Sequence, residues 1–411
     1  MAEAAYAFRK YERRPFDDGA CEQCGKCLSA CPVMRLPEER SKQSIQALAT
    51  AWLDRSEPEE AAADVLKRCT SCFTCDLVCP NDCRPTNLIL DSWNRRYLEH
   101  GLPSRARHFM PHERPNFRTY VIERLPKRDR DTIELWKSMT PAEEIFYPGC
   151  NIVTAPYLTY SSLFDGFAIR GGLDYCCGET YLRMGVYDHV EQAAKRMTKY
   201  FKDLGVRRVY MACTAGINVF RNVLPQFGAD FDGIEFVSFL KHVYGQLIAG
   251  RLRIVKRFDG QRIAFQDSCY AKLVEPEFYQ WPRKIAEYLG FTVVEPECHA
   301  RTMVCCGIGD GFSPASSYHP VDILRGQARA LSNLRAADVD CFGVYCAGCL
   351  QMFSLAFWNR NPVHHVLQLV QEAIGEEPVR RRTGPALSFL VGTLRHQEWG
   401  KGPFRVPPLG D

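Results

Sequence analysis

The chain has 411 residues, of which 46% are hydrophobic and 24% charged, with a formal net charge of +4. That length fits two or three domains and a core large enough to stand without disulfide staples. The weak charge gives no support to nucleic-acid binding, and no apolar run approaches the roughly eighteen residues of a membrane helix. The short run at 386–394 is typical of what is found instead. Met1-Ala-Glu-Ala-Ala-Tyr6 has no basic-then-apolar export layout. The expected location is the cytoplasm, with contact to the inner face of a membrane only through a partner.

Twenty cysteines stand in this chain. Disulfide scaffolds are short secreted domains, so in a reducing compartment cysteines at ligand spacing read as thiolates on metal. After a polar lead-in (Arg9, Lys10, Arg13, Arg14) comes Cys21-x2-Cys24-x2-Cys27-x3-Cys31-Pro32. The same spacing returns as Cys69-x2-Cys72-x2-Cys75-x3-Cys79-Pro80. This is the bacterial ferredoxin run, in which three cysteines hold one [4Fe–4S] cubane and the fourth reaches across to the other. One cubane is expected on Cys21, Cys24, Cys27 and Cys79, the other on Cys69, Cys72, Cys75 and Cys31. Cys83, close behind, reads as a buried thiol.

Thirty-seven residues separate the runs. Ile45, Leu48, Ala49, Trp52 and Leu53 have helical spacing, and a second helix is expected at 59–66. Residues 1–99 therefore read as a mainly helical, two-cluster ferredoxin-like domain. Residues 100–142, rich in proline and in arginine (Arg105, Arg107, Arg114, Arg118, Arg124), read as a solvated linker or partner-docking segment.

From about residue 143 the chain repeats itself. The first copy, 143–255, carries Cys150, then Cys176-Cys177-Gly178, then Cys213-Thr-Ala-Gly216. The second, 256–376, carries Cys269, then Cys305-Cys306-Gly307, then Cys346-Ala-Gly-Cys349. In both, a β-like run ends at a cysteine, the vicinal pair opens a helix, and a further β-like run ends at the last cysteines. The expected helix faces are Val190, Ala194, Met197, Phe201 and Leu204 in one copy, and Leu324, Ala328, Leu331 and Leu334 in the other. Paired helices at 237–250 and 363–375 would close on Gly250 and Gly375. The fold class expected is α+β multidomain: the helical ferredoxin-like domain, then two repeated α/β units with strand-end loops facing a ligand. Two vicinal thiolates can bridge or cap irons in a cluster less regular than a cubane. The first copy lacks the last cysteine, leaving Cys150, Cys176, Cys177 and Cys213 for a cubane, a zinc ion or nothing. The tail from 377 to 411, with Arg380-Arg381-Arg382, reads by default as loose.

With these motifs in place, residues 15–375 resemble the cysteine-rich CCG-domain iron–sulfur oxidoreductases. The nearest layout is the catalytic subunit of membrane-bound heterodisulfide reductase. Similar layouts occur in iron–sulfur subunits of a sulfite reductase-associated membrane complex, glycolate oxidase, anaerobic glycerol-3-phosphate dehydrogenase and benzoyl-CoA reductase complexes. The resemblance implies a noncubane [4Fe–4S] cluster, the seat of catalysis, on Cys269, Cys305, Cys306, Cys346 and Cys349. It implies an oxidoreductase subunit of anaerobic metabolism, passing electrons through two cubanes to or from that cluster and acting on a thiol or disulfide. Gly216 departs from the heterodisulfide reductases, which have two complete sets. The alternative is a relay between a flavin dehydrogenase (glycolate, glycerol-3-phosphate or acyl-CoA type) and a membrane quinone or cytochrome. The expected partners are a flavoprotein, a cytochrome b or quinone-reactive membrane protein and other iron–sulfur subunits. Gly307-Ile-Gly309-Asp-Gly311 lacks dinucleotide spacing, so flavin or haem belongs to a partner. Near the second copy, Cys298 and Cys341 read as small buried residues, and His299 and His319 as structural rather than proton donors. Tyr270 and Lys272 follow Cys269 and could line the site.

Overall fold

The computed structural model describes residues 6–355, 361–380, 383–395 and 401–410. Met1 to Ala5 and two arginines of the basic tail, Arg381 and Arg382, lie outside the described residues. Among the described residues no helix is long and apolar enough to cross a membrane.

The first ninety-odd residues are helical. Glu38–Leu53 starts after Pro37, carries Glu38 and Glu39 in its first turn, and buries Ile45, Leu48 and Ala49. Leu53, expected on the inner face, is half exposed. Glu60–Arg68 buries Ala62, Val65 and Leu66, and packs on the first helix. Pro85–His100 begins with proline and buries Leu88, Ile89, Trp93 and Tyr97. The lead-in is tied down. Tyr6, Tyr11 and Phe16 are buried, and Arg9 donates to the Cys79 carbonyl at 2.7 Å.

Two four-stranded parallel sheets follow. In the first, β1 (Glu144–Phe146), β2 (Ala168–Ile169), β3 (Arg208–Met211) and β4 (Glu235–Ser238) lie in the order β2-β1-β3-β4. In the second, β5 (Arg262–Gln266), β6 (Thr292–Val293), β7 (Cys341–Val344) and β8 (Val363–His365) lie in the order β6-β5-β7-β8. The two orders match strand for strand. The strand ends of β1, β3, β5 and β7 lead directly into Cys150, Cys213, Cys269 and Cys346, which is where a parallel sheet presents its loops.

Four expectations need correction. The helices expected at 237–250 and 363–375 begin as strands, because Phe236 to Ser238 pair with β3 and Val363 to His365 with β7. Their helical parts are Phe239–Ile248 and Val366–Ala373, and Gly250 and Gly375 take the left-handed φ expected after a helix end. In Pro320–Arg335 the inner face is Ile323, Gln327, Ala330, Leu331 and Leu334, while Leu324 and Ala328 face out. The helix is turned to bring Gly326 against Gly307, where an added Cβ would lie 2.7 Å from the Gly307 Cα.

The third correction is the tail. Thr383–Arg395 packs on Phe117–Glu123, with Phe389 meeting Phe117 edge-on at 5.0 Å. Phe404 bridges Leu102, and Arg405 donates to the Tyr97 and Leu98 carbonyls at the end of Pro85–His100. Over its described residues the tail is docked. The fourth is the segment 100–142, expected as a solvated linker or partner-docking stretch: it holds a 3-10 turn, Ser104–Phe109, and two helices, Phe117–Glu123 and Lys127–Trp136. Phe117 and Trp136 are buried.

Candidate metal centres

The two ferredoxin-type runs fold alike. Gln23 and Gly25 in the first, and Ser71 and Phe73 in the second, all have positive φ (51°, 73°, 47° and 62°). Ser71 and Phe73 lack the freedom of glycine, so each holds backbone strain of order 1–3 kcal/mol. Cys79, from the second run, lines the same small cavity as Cys21, Cys24 and Cys27. Cys31, from the first run, lies among the thiols of the second: burial pushes it up to about 11, and Cys72 beside it pushes the same way. Cys69 is raised by burial and then by Cys72 and Cys31. Backbone N–H groups point at the sulfurs, Ser71 N to Cys69 Sγ and Cys83 N to Cys79 Sγ, each at 3.3 Å. Thr86 Oγ1 lies 2.9 Å from Cys75 Sγ. Cys83, the ninth cysteine of the helical domain, is buried and lines the first cavity as a fifth thiol.

In the second sheet unit all five cysteines share one neighbourhood. Cys306 is pulled well below the usual thiol range by hydrogen bonds from Cys305 and Cys349. Cys346 is lowered by Cys349, and Cys269 is pushed up to about 11 by burial, with Cys306 and Cys346 adding to it. Asp267 holds the three cysteine-bearing segments together. Its carboxylate, fully buried, takes two bonds from Arg283 (2.9 and 2.8 Å), one from Tyr345 Oη (2.7 Å) and one from Ala300 N (2.6 Å). Tyr345 precedes Cys346, and Ala300 opens the approach to Cys305. Burial would raise Asp267, but Arg283 holds it below the ordinary carboxylate range. Gly307, at φ 108°, has no room for a side chain: a Cβ would meet Ile323 O at 2.5 Å and Gln327 N at 2.6 Å.

In the first sheet unit Cys150 and Cys176 are mutual neighbours, with Cys177 beside Cys176 and Cys213 beside Cys150. Gly178 repeats the left-handed turn of Gly307, at φ 79°. At Gly216, the position of Cys349, an added Cβ would meet the Met211 Cε at 2.6 Å. Met211 is fully buried and corresponds to Val344 in the second unit. The longer thioether fills the space of the missing thiol. Asp267 corresponds to Pro148, so the first unit lacks that anchor too. The two sites are close: Cys213 is raised by burial and then by Cys346 of the other unit, and a Cβ at Gly348 would lie 3.3 Å from Asn151 Nδ2.

The donor sets fit iron–sulfur clusters. All twenty cysteines are free, and thiolates gathered in a buried site need a cation to offset their repulsion.

The other residues singled out by sequence have structural roles. His319 Nδ1 accepts from Val321 N at a helix start, and His299 Nδ1 pairs with the Pro296 carbonyl oxygen at 2.8 Å. Cys298 receives Arg35 Nη2 at 2.7 Å, and Cys341 lies buried in β7. Lys272 is buried and donates to Thr74 Oγ1, which lies 3.3 Å from Cys72 Sγ. Tyr270 is buried against Phe73, with ring centroids 5.9 Å apart. Sequence reasoning missed Arg183, Glu179, Met211 and Asp267 as site-forming residues. The one local signal was the pairing of Gly216 with a larger Met211 where the second copy has Cys349 with Val344.

Residues 19–83 match the 4Fe-4S dicluster domain, and residues 167–215 and 263–354 match the cysteine-rich domain. The earlier of the latter two matches stops one residue before Gly216. The chain is similar to an EtfAB:quinone oxidoreductase of Syntrophomonas wolfei, 21% identical over 349 residues, covering 72% of this chain and 48% of the relative. It is similar to a probable iron-sulfur-binding oxidoreductase of Bacillus subtilis, 25% identical over 367 residues, covering 71% and 50%. The chain thus spans about half the length of those two relatives. A CoB–CoM heterodisulfide reductase iron-sulfur subunit from Methanocaldococcus jannaschii is 31% identical over 70 residues, covering 17% of this chain and 35% of the relative. The chain thus carries a 4Fe-4S dicluster domain at residues 19–83 ahead of a cysteine-rich CCG domain matched over 167–215 and 263–354.

Proposed function

We propose that this chain is the iron–sulfur electron-transfer subunit of a larger redox complex, with two cubanes in the helical domain and a noncubane cluster in the second sheet unit. The residues proposed to hold the cubanes are Cys21, Cys24, Cys27 and Cys79, and Cys69, Cys72, Cys75 and Cys31. Those proposed for the noncubane cluster are Cys269, Cys305, Cys306, Cys346 and Cys349. When bound, such clusters supply one-electron storage and transfer. We further infer that the two sheet units are copies of one α/β unit, in which Met211 has replaced the fifth thiolate and left the first copy structural.

The observation that carries this reading is the seam between the second run and the second unit. Lys272 reaches Thr74 beside Cys72, and Phe73 packs on Tyr270, so residues next to both thiol sites touch across a buried contact. Burial would raise Cys72, but Lys272 and Thr74 hold it below the usual thiol range. The chain's own work is to hold thiolates, exclude water and keep the two sites in register. Cys269 and Cys346 are the half-buried members of the second set and form its open side.

Two terminal reactions fit. Relay between an electron-transfer flavoprotein and a quinone-reactive membrane protein is favoured by the similarity, over 72% of this chain, to an EtfAB:quinone oxidoreductase. Thiol or disulfide chemistry at the open side is supported by the five-thiolate set, and by the heterodisulfide reductase similarity over only 70 residues. Anaerobically purified protein should accept electrons from a reduced flavoprotein and pass them to a quinone analogue when its membrane partner is present. Disulfide cleavage without quinone reduction would replace the relay reading by the second. Zinc without iron and sulfide would end both.

A further inference from the structure

Arg183 closes the short helix Glu179–Arg183, which follows the Cys176-Cys177-Gly178 turn of the first unit. Its side chain serves the helical domain and the second unit instead. It is 4% exposed. Nη1 donates to the Thr70 carbonyl at 2.8 Å, between Cys69 and Cys72. Nη2 points at Cys269 Sγ from 3.7 Å. Nε donates to Glu179 Oε1 at 2.7 Å. The guanidinium lies 5.0 Å from the Tyr270 ring centroid. The room for it is made by Gly309, where a Cβ would fall 2.8 Å from Nη1 and 2.9 Å from Cys305 Sγ.

A buried guanidinium is expensive unless negative charge surrounds it. Glu179 supplies one charge, and the thiolates on either side supply the rest. We propose that the Arg183–Glu179 pair is a tuning element that sets the reduction potential of the second unit's thiolate site relative to the neighbouring Cys69–Cys72–Cys75 site. This rests on the cluster assignment proposed above. Reduction adds negative charge to a thiolate-ligated centre. A cation beside Cys269, itself only 4% exposed, stabilises the reduced form, and the carboxylate behind it opposes that. Arg183 acts through the ligand sulfur and the Thr70 carbonyl, so it is a positioning residue.

The test is an EPR-monitored redox titration of anaerobically purified, cluster-loaded full-length protein. Arg183→Gln should lower the midpoint potential of the second unit's cluster, and Glu179→Gln should raise it. The double variant should fall between the two, and the cluster on Cys21, Cys24, Cys27 and Cys79 should not move. Arg183→Lys, which keeps the charge but loses the fork, should shift the potential less than Arg183→Gln. Unmoved potentials, or shifts of the same sign in both single variants, would overturn the proposal, because loosened packing has no reason to follow charge. If Arg183→Gln does not load iron, Glu179→Gln decides alone: no rise defeats the inference. A wild-type protein with no third cluster signal defeats the cluster assignment and the inference together. A third signal that ignores both substitutions defeats only the inference.

Discussion

The two sheet units share strand order, vicinal cysteine pair and left-handed glycine, yet differ at the three points that complete a site. The second has Cys349 where the first has Gly216, Val344 where the first has Met211, and Asp267 where the first has Pro148. The first two differences are one packing decision, since the Met211 thioether occupies the space that Gly216 leaves. The third concerns support. Asp267 ties the Cys269, Cys305 and Cys346 segments through four hydrogen bonds. In the first unit Tyr147 Oη instead donates to the Tyr175 carbonyl and braces only the approach to Cys176. On the reading proposed above, the second unit keeps both its five thiols and the residues that aim them.

This comparison can be broken at several points. The largest effect is expected from Asp267→Asn, which leaves Arg283 buried with only Glu295 to pair with. The loss should be about 3–5 kcal/mol of stability, read by chemical denaturation, with Cys269-site spectra perturbed before the cubane signals. A loss under about 1 kcal/mol would show that the anchor is dispensable. Gly307→Ala comes next, because its Cβ would strike the backbone of Pro320–Arg335 as well as bear the left-handed penalty of about 1–2 kcal/mol. Gly178→Ala bears the same left-handed penalty but should be milder, since its Cβ meets side chains alone, the Ala193 methyl at 2.9 Å and Tyr181 Cδ2 at 3.6 Å, and no backbone. Equal melting shifts in the two glycine variants would contradict the contrast. Gly216→Cys alone should cost about 1–3 kcal/mol by overpacking against Met211. Adding Met211→Val should recover that stability and raise the iron content of anaerobically loaded protein. Full recovery without added iron would mean that the space, but not the site, had been restored.

Much of this was legible in the sequence because it is local. The spacing of Cys21 to Cys31 and of Cys69 to Cys79 fixes two like loops. The recurring order of cysteine, vicinal pair and last cysteine marks two units with matching strand order. What sequence missed depends on distant neighbours. Val237 and Ser238, and Val363 to His365, look like the starts of amphipathic helices, and only β3 and β7 beside them make them strands. Leu324 and Ala328 have the right period, but close approach at Gly326 turns the helix away from them. Residues 117–136 and 383–395 each look like unattached segments, and Phe117 against Phe389 exists only once both are folded. Arg183 follows a cysteine pair in one unit and reaches the Thr70 carbonyl in the helical domain and Cys269 in the second unit, a connection no spacing encodes.

The central claim is that the second unit, and not the first, holds a cluster fed by the two ferredoxin-type sites. Iron and acid-labile sulfide analysis of anaerobically purified protein, with EPR on the same samples, tests it most directly. Three clusters amount to about twelve irons per chain. Cys306→Ala should lower that to about eight with both cubane signals intact, while Cys177→Ala should leave it unchanged. Equal iron loss in the two variants, or no loss in Cys306→Ala, would contradict the account.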